Sequence, residues 1–373
     1  MLPKERVIRA LNHEEPDRVP TGEIGIDYPI TERALGRETL YRAKWKEYMA
    51  LWQGRRDEYV ESCKRDIVDL VKTLGLDFVP VFPVPPKGYN PGMPEFIDDY
   101  TWRERNGRIM KYSPVSGGHA ICIKHPPVTT DDIIIPKKIE IKDSQLELVR
   151  HIVKELGDTH FILGRNGDGT YPQTGGLTNF LAKMHSEPEF VRKAIKASTK
   201  WAIEEGKILI EEGCHGICMG SDYCYKSGPM MSPKHFREFI YPSLKEHCTA
   251  FHKAGAYIIK HTDGNTWQIL DMMVEAGIDA YQAIELQAGM DIKALKEKYD
   301  GKLCLFGGVD CSTLVAGTEE DVEREVEYAI RHGAPGGGLV LVSSNTIMAG
   351  VKYENYMKTL KTVKEKGVYS IKP

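Results

Sequence analysis

Short apolar runs alternate with amphipathic, charge-rich stretches along almost the whole chain. Helical spacing of the apolar positions predicts helices, and brief apolar runs bounded by Gly, Pro or polar residues predict buried strands. The pattern gives a helix over 4–12, a first strand over 19–26 and a long helical region over 39–74. A second strand, 77–84, is stopped by Pro85-Pro86. An excursion over 96–125 then breaks the alternation. Its 97–102 and 109–112 segments flank Asn106-Gly107, a pair that tolerates the positive φ of a tight hairpin turn. Helix 144–156, strand 160–165, helical stretches over 176–212 and strand 216–221 follow. Helix 233–254 starts at Ser232-Pro233, a side-chain cap followed by a residue with φ already set for a first turn. Strands 256–260, 280–285, 303–307 and 339–343 are separated by helices 266–276, 292–299 and 319–332, and helix 354–366 comes last.

Eight strands, most of them followed by a helix and short enough to be buried on both faces, predict a parallel sheet. With no dinucleotide fingerprint among them, the expected fold is a (β/α)8 TIM barrel. It carries an N-terminal helical extension and a β-hairpin insertion near 96–125, and one domain spans 1–373. In such a fold, polar side chains at the carboxyl ends of the strands converge on one mouth. Here they are Glu23 and Asp27, then Arg165, Asn166 and Asp168, then Asp222 and Tyr223. His261 and Asp263, Glu285 and Gln287, Asp310, and Ser343-Ser344-Asn345 complete the set. Seven of the eight strand ends are polar, which is more than helix capping alone asks for.

His261 lies in His261-Thr262-Asp263-Gly264-Asn265, between an apolar strand and a helix. His261, Asp222 and Glu285 come from adjacent strands, with Glu238 on the following helix as a fourth candidate. A histidine among carboxylates binds a divalent metal, zinc foremost, or serves as a general acid and base. Both readings stay open at this stage. Asp263, Glu23 and Asp168 are the expected catalytic groups. Arg165, Asn166, Tyr223 and Asn345 are the expected substrate contacts, and Tyr28, Phe82, Trp102 and Tyr171 offer an aromatic lining.

Composition narrows the classes of function. A net charge of −3 gives no electrostatic case for nucleic acid or an anionic membrane, and no apolar run is long enough to span a bilayer. Met1-Leu2-Pro3-Lys4-Glu5-Arg6 lacks the apolar core of a secretory signal, so the expected compartment is the cytoplasm. The eight cysteines include no CxxC pair. Cys214 and Cys218 fall where a helix meets a buried strand, and buried free thiols are expected there. P-loop, GxSxG and HExxH motifs are missing, and Gly336-Gly337-Gly338 leads into a strand, which makes it a turn and not a phosphate cradle.

Several segments, taken in order, resemble the uroporphyrinogen decarboxylase superfamily of (β/α)8 barrels. They are Arg6–Pro20 at the start, Ser232-Pro233 with Phe236-Arg237-Glu238-Phe239, and His261…Asp263-Gly264-Asn265. Ala288-Gly289-Met290-Asp291, Phe306-Gly307-Gly308-Val309-Asp310 and Ala334-Pro335-Gly336-Gly337-Gly338 complete the series. The decarboxylases proper carry an arginine-rich loop after the first strand. This chain reads Gly22-Glu23-Ile24-Gly25-Ile26-Asp27-Tyr28 there, acidic and expected to repel a polycarboxylate. The resemblance therefore implies the other branch, methyltransferases that pass a methyl group from a small methylated substrate to a corrinoid protein. Members with a thiolate zinc site have a Cys where this chain has Asp263. An oxygen-rich site, with Asp222, Glu238 and His261 in acid, acid, histidine order, is similar to that of O-demethylase components acting on aromatic methyl ethers. The resemblance thus implies zinc, a corrinoid brought by a partner and a homodimer. A decarboxylase without metal is the alternative, and a binding protein that keeps only the barrel is a third reading.

Overall fold

The computed structural model describes residues 1–114, 118–166 and 168–371. Seven parallel strands form its central sheet. They are β1 (Phe78–Val81), β6 (Phe161–Asn166), β7 (Gly216–Met219), β10 (Tyr257–His261), β11 (Ala280–Gln282), β12 (Cys304–Val309) and β13 (Leu339–Ser343), paired in that order. Between β1 and β6 the chain builds a separate antiparallel sheet from β2 (Glu95–Asp98), β3 (Thr101–Arg103), β4 (Ile109–Lys111) and β5 (Ile121–Lys124). A two-stranded ribbon, β8 (Cys224–Tyr225) with β9 (Gly228–Pro229), follows β7.

Alternation along each parallel strand sends successive side chains to opposite faces. One face supplies Phe78, Phe161, Leu163, Cys218, Ile259, Ala280, Cys304, Phe306, Val340 and Val342 to a single buried cluster. Side chains from all seven strands meet there, so the sheet is curled like a barrel around its own interior. The opposite face, with Val79, Ile162, Ile217, Ile258, Tyr281, Leu305 and Leu341, joins the larger cluster beneath the helices. The N-terminal helix Pro3–Leu11 plugs the barrel floor. Its Val7, Ala10 and Leu11 enter the interior cluster, and Lys4 N donates to Thr159 O just ahead of β6.

The expected first strand over 19–26 is not a regular strand. It is an extended segment with single bridges from Thr21 to Leu341 and from Ile26 to Ile347. Leu341 N donates to Pro20 O on one side, and Asp77 N donates to Thr21 O on the other. Pro20 has no N–H to give a ladder. The sheet therefore has seven strands where eight were expected, and an irregular segment touches both of its edges. The helical region over 39–74 is also divided, into Trp45–Trp52 and Arg56–Leu74, with Gly54 at positive φ between them. The insertion is larger than a hairpin. Asn106-Gly107 does turn β3 into β4, but β2 and β5 extend the pair to four strands; residues 115–117 of the expected insertion lie outside the described residues. Among the described residues no helix is long and apolar enough to cross a membrane.

The opening motif has a structural task. Asp77, fully buried before β1, accepts from Arg6 Nη1 at 2.5 Å, from Arg18 Nη1 at 2.8 Å and from Thr21 N at 2.8 Å. Arg6 also pairs with Asp17 at 2.6 Å. This network clamps the irregular segment to the sheet. Removing Asp77 would leave Arg18 without a carboxylate, Arg6 with Asp17 alone, and the buried Thr21 N–H without its acceptor. Asp77→Ala is expected to cost about 3–5 kcal/mol in urea denaturation, as for a broken buried pair. A loss of about 1 kcal/mol or less, the scale of an exposed pair, would show that water replaces the clamp.

Candidate active site

Strand alternation decides which of the polar strand ends face the barrel mouth. On β6, Arg165 shares the inward face of Phe161 and Leu163, whereas Asn166 turns outward and donates to Ala202 O of the helix Pro188–Glu211 at 2.8 Å. On β10, His261 shares the face of Ile259, and on β11 Gln282 shares the face of Ala280. Arg165, His261 and Gln282 are therefore mouth residues, and Asn166 is not.

The structure brings Asp222, His261 and Asp263 together, with one ligand atom from each lying within 4.8 Å of the others. His261 Nε2 is 3.5 Å from Asp222 Oδ1 and 3.8 Å from Asp263 Oδ1. Asp263 N donates to Asp222 Oδ1 at 3.1 Å, and Asn345 Nδ2 donates to Asp263 Oδ2 at 2.6 Å. Burial is the main force pushing the Asp263 carboxyl up to about 7, and Asp222 and Glu285 add repulsion. Glu285, expected as a ligand, stands beside this group but outside it. It accepts from Gly264 N at 3.1 Å and faces Lys226 at 3.5 Å. Asp263 takes the place foreseen for Glu285. A cavity of about 360 Å³ opens next to them, lined by Asp263, Glu285, Asp310, Ser344 and Asn345 among others. Gly264 is needed where it is, because at φ +83° an added Cβ would lie 2.5 Å from Tyr225 O in the β8–β9 ribbon.

Gln282 settles the chemistry of His261. Its Nε2 donates to two backbone carbonyls, Ser343 O at 3.1 Å and Asn345 O at 3.4 Å. Carbonyls only accept, so the amide oxygen must face His261 Nδ1, with which it pairs. Nδ1 then carries the hydrogen. Burial holds His261 below the usual imidazole range despite Asp222 and Gln282, so Nε2 presents a lone pair to two carboxyl groups. A nitrogen lone pair converging with two carboxyl groups suits a divalent cation. One nitrogen with oxygens, and an orienting partner on the other ring nitrogen, is the donor chemistry of catalytic zinc. No cysteine takes part: the thiols of Cys214 and Cys218 are buried free, as expected.

Behind β10, a buried lysine holds the backbone that carries these groups. Lys260 Nζ donates to Ser221 O and His261 O, both at 2.7 Å, and pairs with Asp168 Oδ2 at 2.8 Å. It also lies 4.1 Å from the centre of the Tyr223 ring. Burial opposes ionisation of Asp168, yet Lys260 and other partners keep its carboxyl below the ordinary value. Asp168 and Tyr223, expected in catalysis and substrate contact, are thus packed behind the strands. Glu23 is also behind them, accepting from Ser343 Oγ at 2.6 Å, and burial pushes its carboxyl up to about 8. Glu238 lies on the outer helical surface with Arg192 at 2.7 Å, away from the cluster. Trp102 packs against Trp52 and Trp45, and Tyr171 against Phe180, as core aromatics.

Gln282 is not legible as a strand end because it lies inside the expected strand 280–285, and Lys260, the last residue of the expected strand 256–260, is overshadowed by the His261 that follows it. The signal was present: a long polar side chain within a buried strand needs a dedicated partner.

Gln282→Leu leaves Nδ1 without its acceptor and frees the imidazole tautomer. Zinc affinity, measured by competition with a chelator, is expected to fall about 10–100-fold; unchanged affinity would remove Gln282 from the site's support. Glu23 gives a pH signature. Its folded proton affinity exceeds the ordinary value of 4.5, so its stabilising effect is complete below the ordinary carboxylate range and is lost as pH rises through about 8. The Tm of Glu23→Gln relative to the native chain should therefore rise between about pH 5 and about pH 8. A pH-independent difference would mean that Glu23 ionises normally.

Over 98% of this chain and 99% of the other, the fold matches a methyltransferase from Methanosarcina mazei, with TM-score 0.71 and 19% sequence identity. A sugar phosphate isomerase/epimerase from Parabacteroides distasonis gives TM-score 0.41 at 10% identity, over 95% of this chain and 98% of that one. No curated protein matches the sequence. Residues 122–366 match the uroporphyrinogen decarboxylase (URO-D) family, and the chain belongs to that family.

Proposed function

We propose that this protein is a methyltransferase that takes a methyl group from a small methylated substrate, such as an aromatic methyl ether, and delivers it to a corrinoid carried by a separate protein. The observation that carries the reading is the lone pair of His261 Nε2 held by Gln282 toward Asp222 and Asp263 at the barrel mouth. Family membership and the shared fold with the Methanosarcina mazei methyltransferase support it. Asp222, His261 and Asp263 would hold zinc, and zinc bound there supplies a Lewis acid for the oxygen that gives up its methyl group.

The residues of the chain do the remaining work. Methyl leaves as a cation equivalent, so the substrate oxygen keeps the bonding pair and has to be stabilised as its charge grows. Asn345 orients Asp263, and Glu285 and Gly264 N brace the loop beneath it. Lys260 fixes the carbonyls of Ser221 and His261, which keeps Asp222 and His261 in register. The site's two half-buried carboxyl groups, Asp222 and Asp263, face the mouth, where a partner-borne acceptor can approach.

Purified protein is expected to contain about one zinc per chain, bound through one His and two carboxylates, and His261→Ala should lose it by elemental analysis. Incubated with a panel of methyl ethers and amines and a reduced corrinoid protein, the native chain should form methylcobalamin, followed by its absorbance. Metal-free protein that decarboxylates uroporphyrinogen would overturn the proposal in favour of the decarboxylase reading. A chain that is inert with every donor would favour a binding protein.

A further inference from the structure

The acidity of the first loop does not reach the mouth as the sequence suggested. Glu23 is behind the sheet, and Asp27 is buried between Arg42 Nε at 2.8 Å and Lys44 Nζ at 2.9 Å. Lys44, only 3% exposed, also meets His119 Nε2 of the insertion at 3.2 Å. Arg165, on the inward face of β6, donates from Nη1 to Ile24 O at 2.9 Å, and no carboxylate pairs with it among the described residues. Three cations therefore gather on the short segment from Ile24 to Asp27, against one carboxylate. Gly25 permits this packing, since a Cβ there would lie 2.7 Å from Arg42 Cζ.

The neighbouring groups offset only part of the excess. The Glu47 carboxyl is pushed up to about 7, chiefly by burial, and is bonded to Tyr59. His119 is pushed down to about 4 by burial and by Lys44 and Arg42, so it adds no charge near neutral pH. Tyr41 is buried and held neutral. The backbone at Arg42 and Lys44 has φ of 50° and 55°, a region that costs non-glycine residues about 1–3 kcal/mol unless the surroundings hold them there. Arg42 and Lys44, separated by Ala43, are both cations held in this conformation. An unpaired guanidinium that already spends one N–H on a carbonyl still offers a planar fork, which matches a carboxylate.

We infer that Arg165, backed by Arg42 and Lys44, binds a carboxylate on the substrate, so that the substrate spans the mouth between this cationic wall and the Asp222–His261–Asp263 group. The word substrate rests on the methyl-transfer reading; the carboxylate subsite itself does not. It favours methylated acids over neutral methyl ethers.

Calorimetric titration of the full chain with benzoate, benzamide and inorganic phosphate tests it. Benzoate is expected to bind, and Arg165→Gln should weaken it about tenfold or more, with partial recovery in Arg165→Lys. Benzamide affinity should be the same in all three proteins. If Arg165→Gln fails to fold by thermal melting, Arg42→Gln carries the same expectation. Equal binding of benzoate and benzamide, no benzoate binding, or benzoate binding that ignores both variants would overturn the inference. Phosphate bound more tightly than benzoate would overturn the assignment to carboxylate. Benzoate binding through Arg165 without methyl transfer from any donor leaves the subsite standing and removes the methyltransferase reading. Methyl transfer from neutral ethers alone, with no benzoate binding, does the reverse.

Discussion

A strand buried on both faces can place a polar side chain only where a partner waits for it, and this constraint organises the molecule. The seven parallel strands are apolar except toward their carboxyl ends, with one face in the barrel interior and the other under the helices. Inward polar groups are confined to the carboxyl ends, where Arg165, His261 and Gln282 open onto the mouth. Outward polar groups survive where partners wait for them: Lys260 with Asp168, Glu23 with Ser343, and the Asn166 Nδ2 group with a helix carbonyl. Site and support are thus two faces of the same strand ends.

The two faces are coupled through the backbone. Lys260 and His261 are consecutive, so one points into the strand–helix layer and the other into the mouth, and the lysine bonds the histidine's own carbonyl. Gln282 does the same across the sheet, joining His261 to the carbonyls after β13. Both contacts determine where Asp222, His261 and Asp263 converge. Networks of this kind work only when every member is satisfied, because a half-paired polar group in a low-dielectric layer costs more than it contributes.

The mouth is divided electrostatically. Carboxylates gather on the side of β7, β10 and β11, and the cations Arg42, Lys44 and Arg165 gather on the side of the irregular first segment. A cation bound on the first side and an anion on the second would complement each other across one substrate. Segregated charge of this sort is expensive to maintain in an empty protein and is a mark of function more than of folding.

The chain's own pattern determined a good deal. Apolar runs and helical spacing specified the parallel strands from 160 onward, the Ser232 cap, and the hairpin turn at Asn106-Gly107. These are local properties, carried by side-chain period and turn geometry. His261, Asp222, Asp263 and Asn345 were legible because each ends an apolar run. The irregular path of 19–27, the four-stranded insertion and the choice of Asp263 over Glu285 depended on contacts between distant segments. So did the retreat of Glu23, Asp168, Asn166 and Tyr223 behind the sheet. A one-residue step along a strand exchanges mouth for core, and only the curl of the sheet and the partners on each side decide which side chain takes which place.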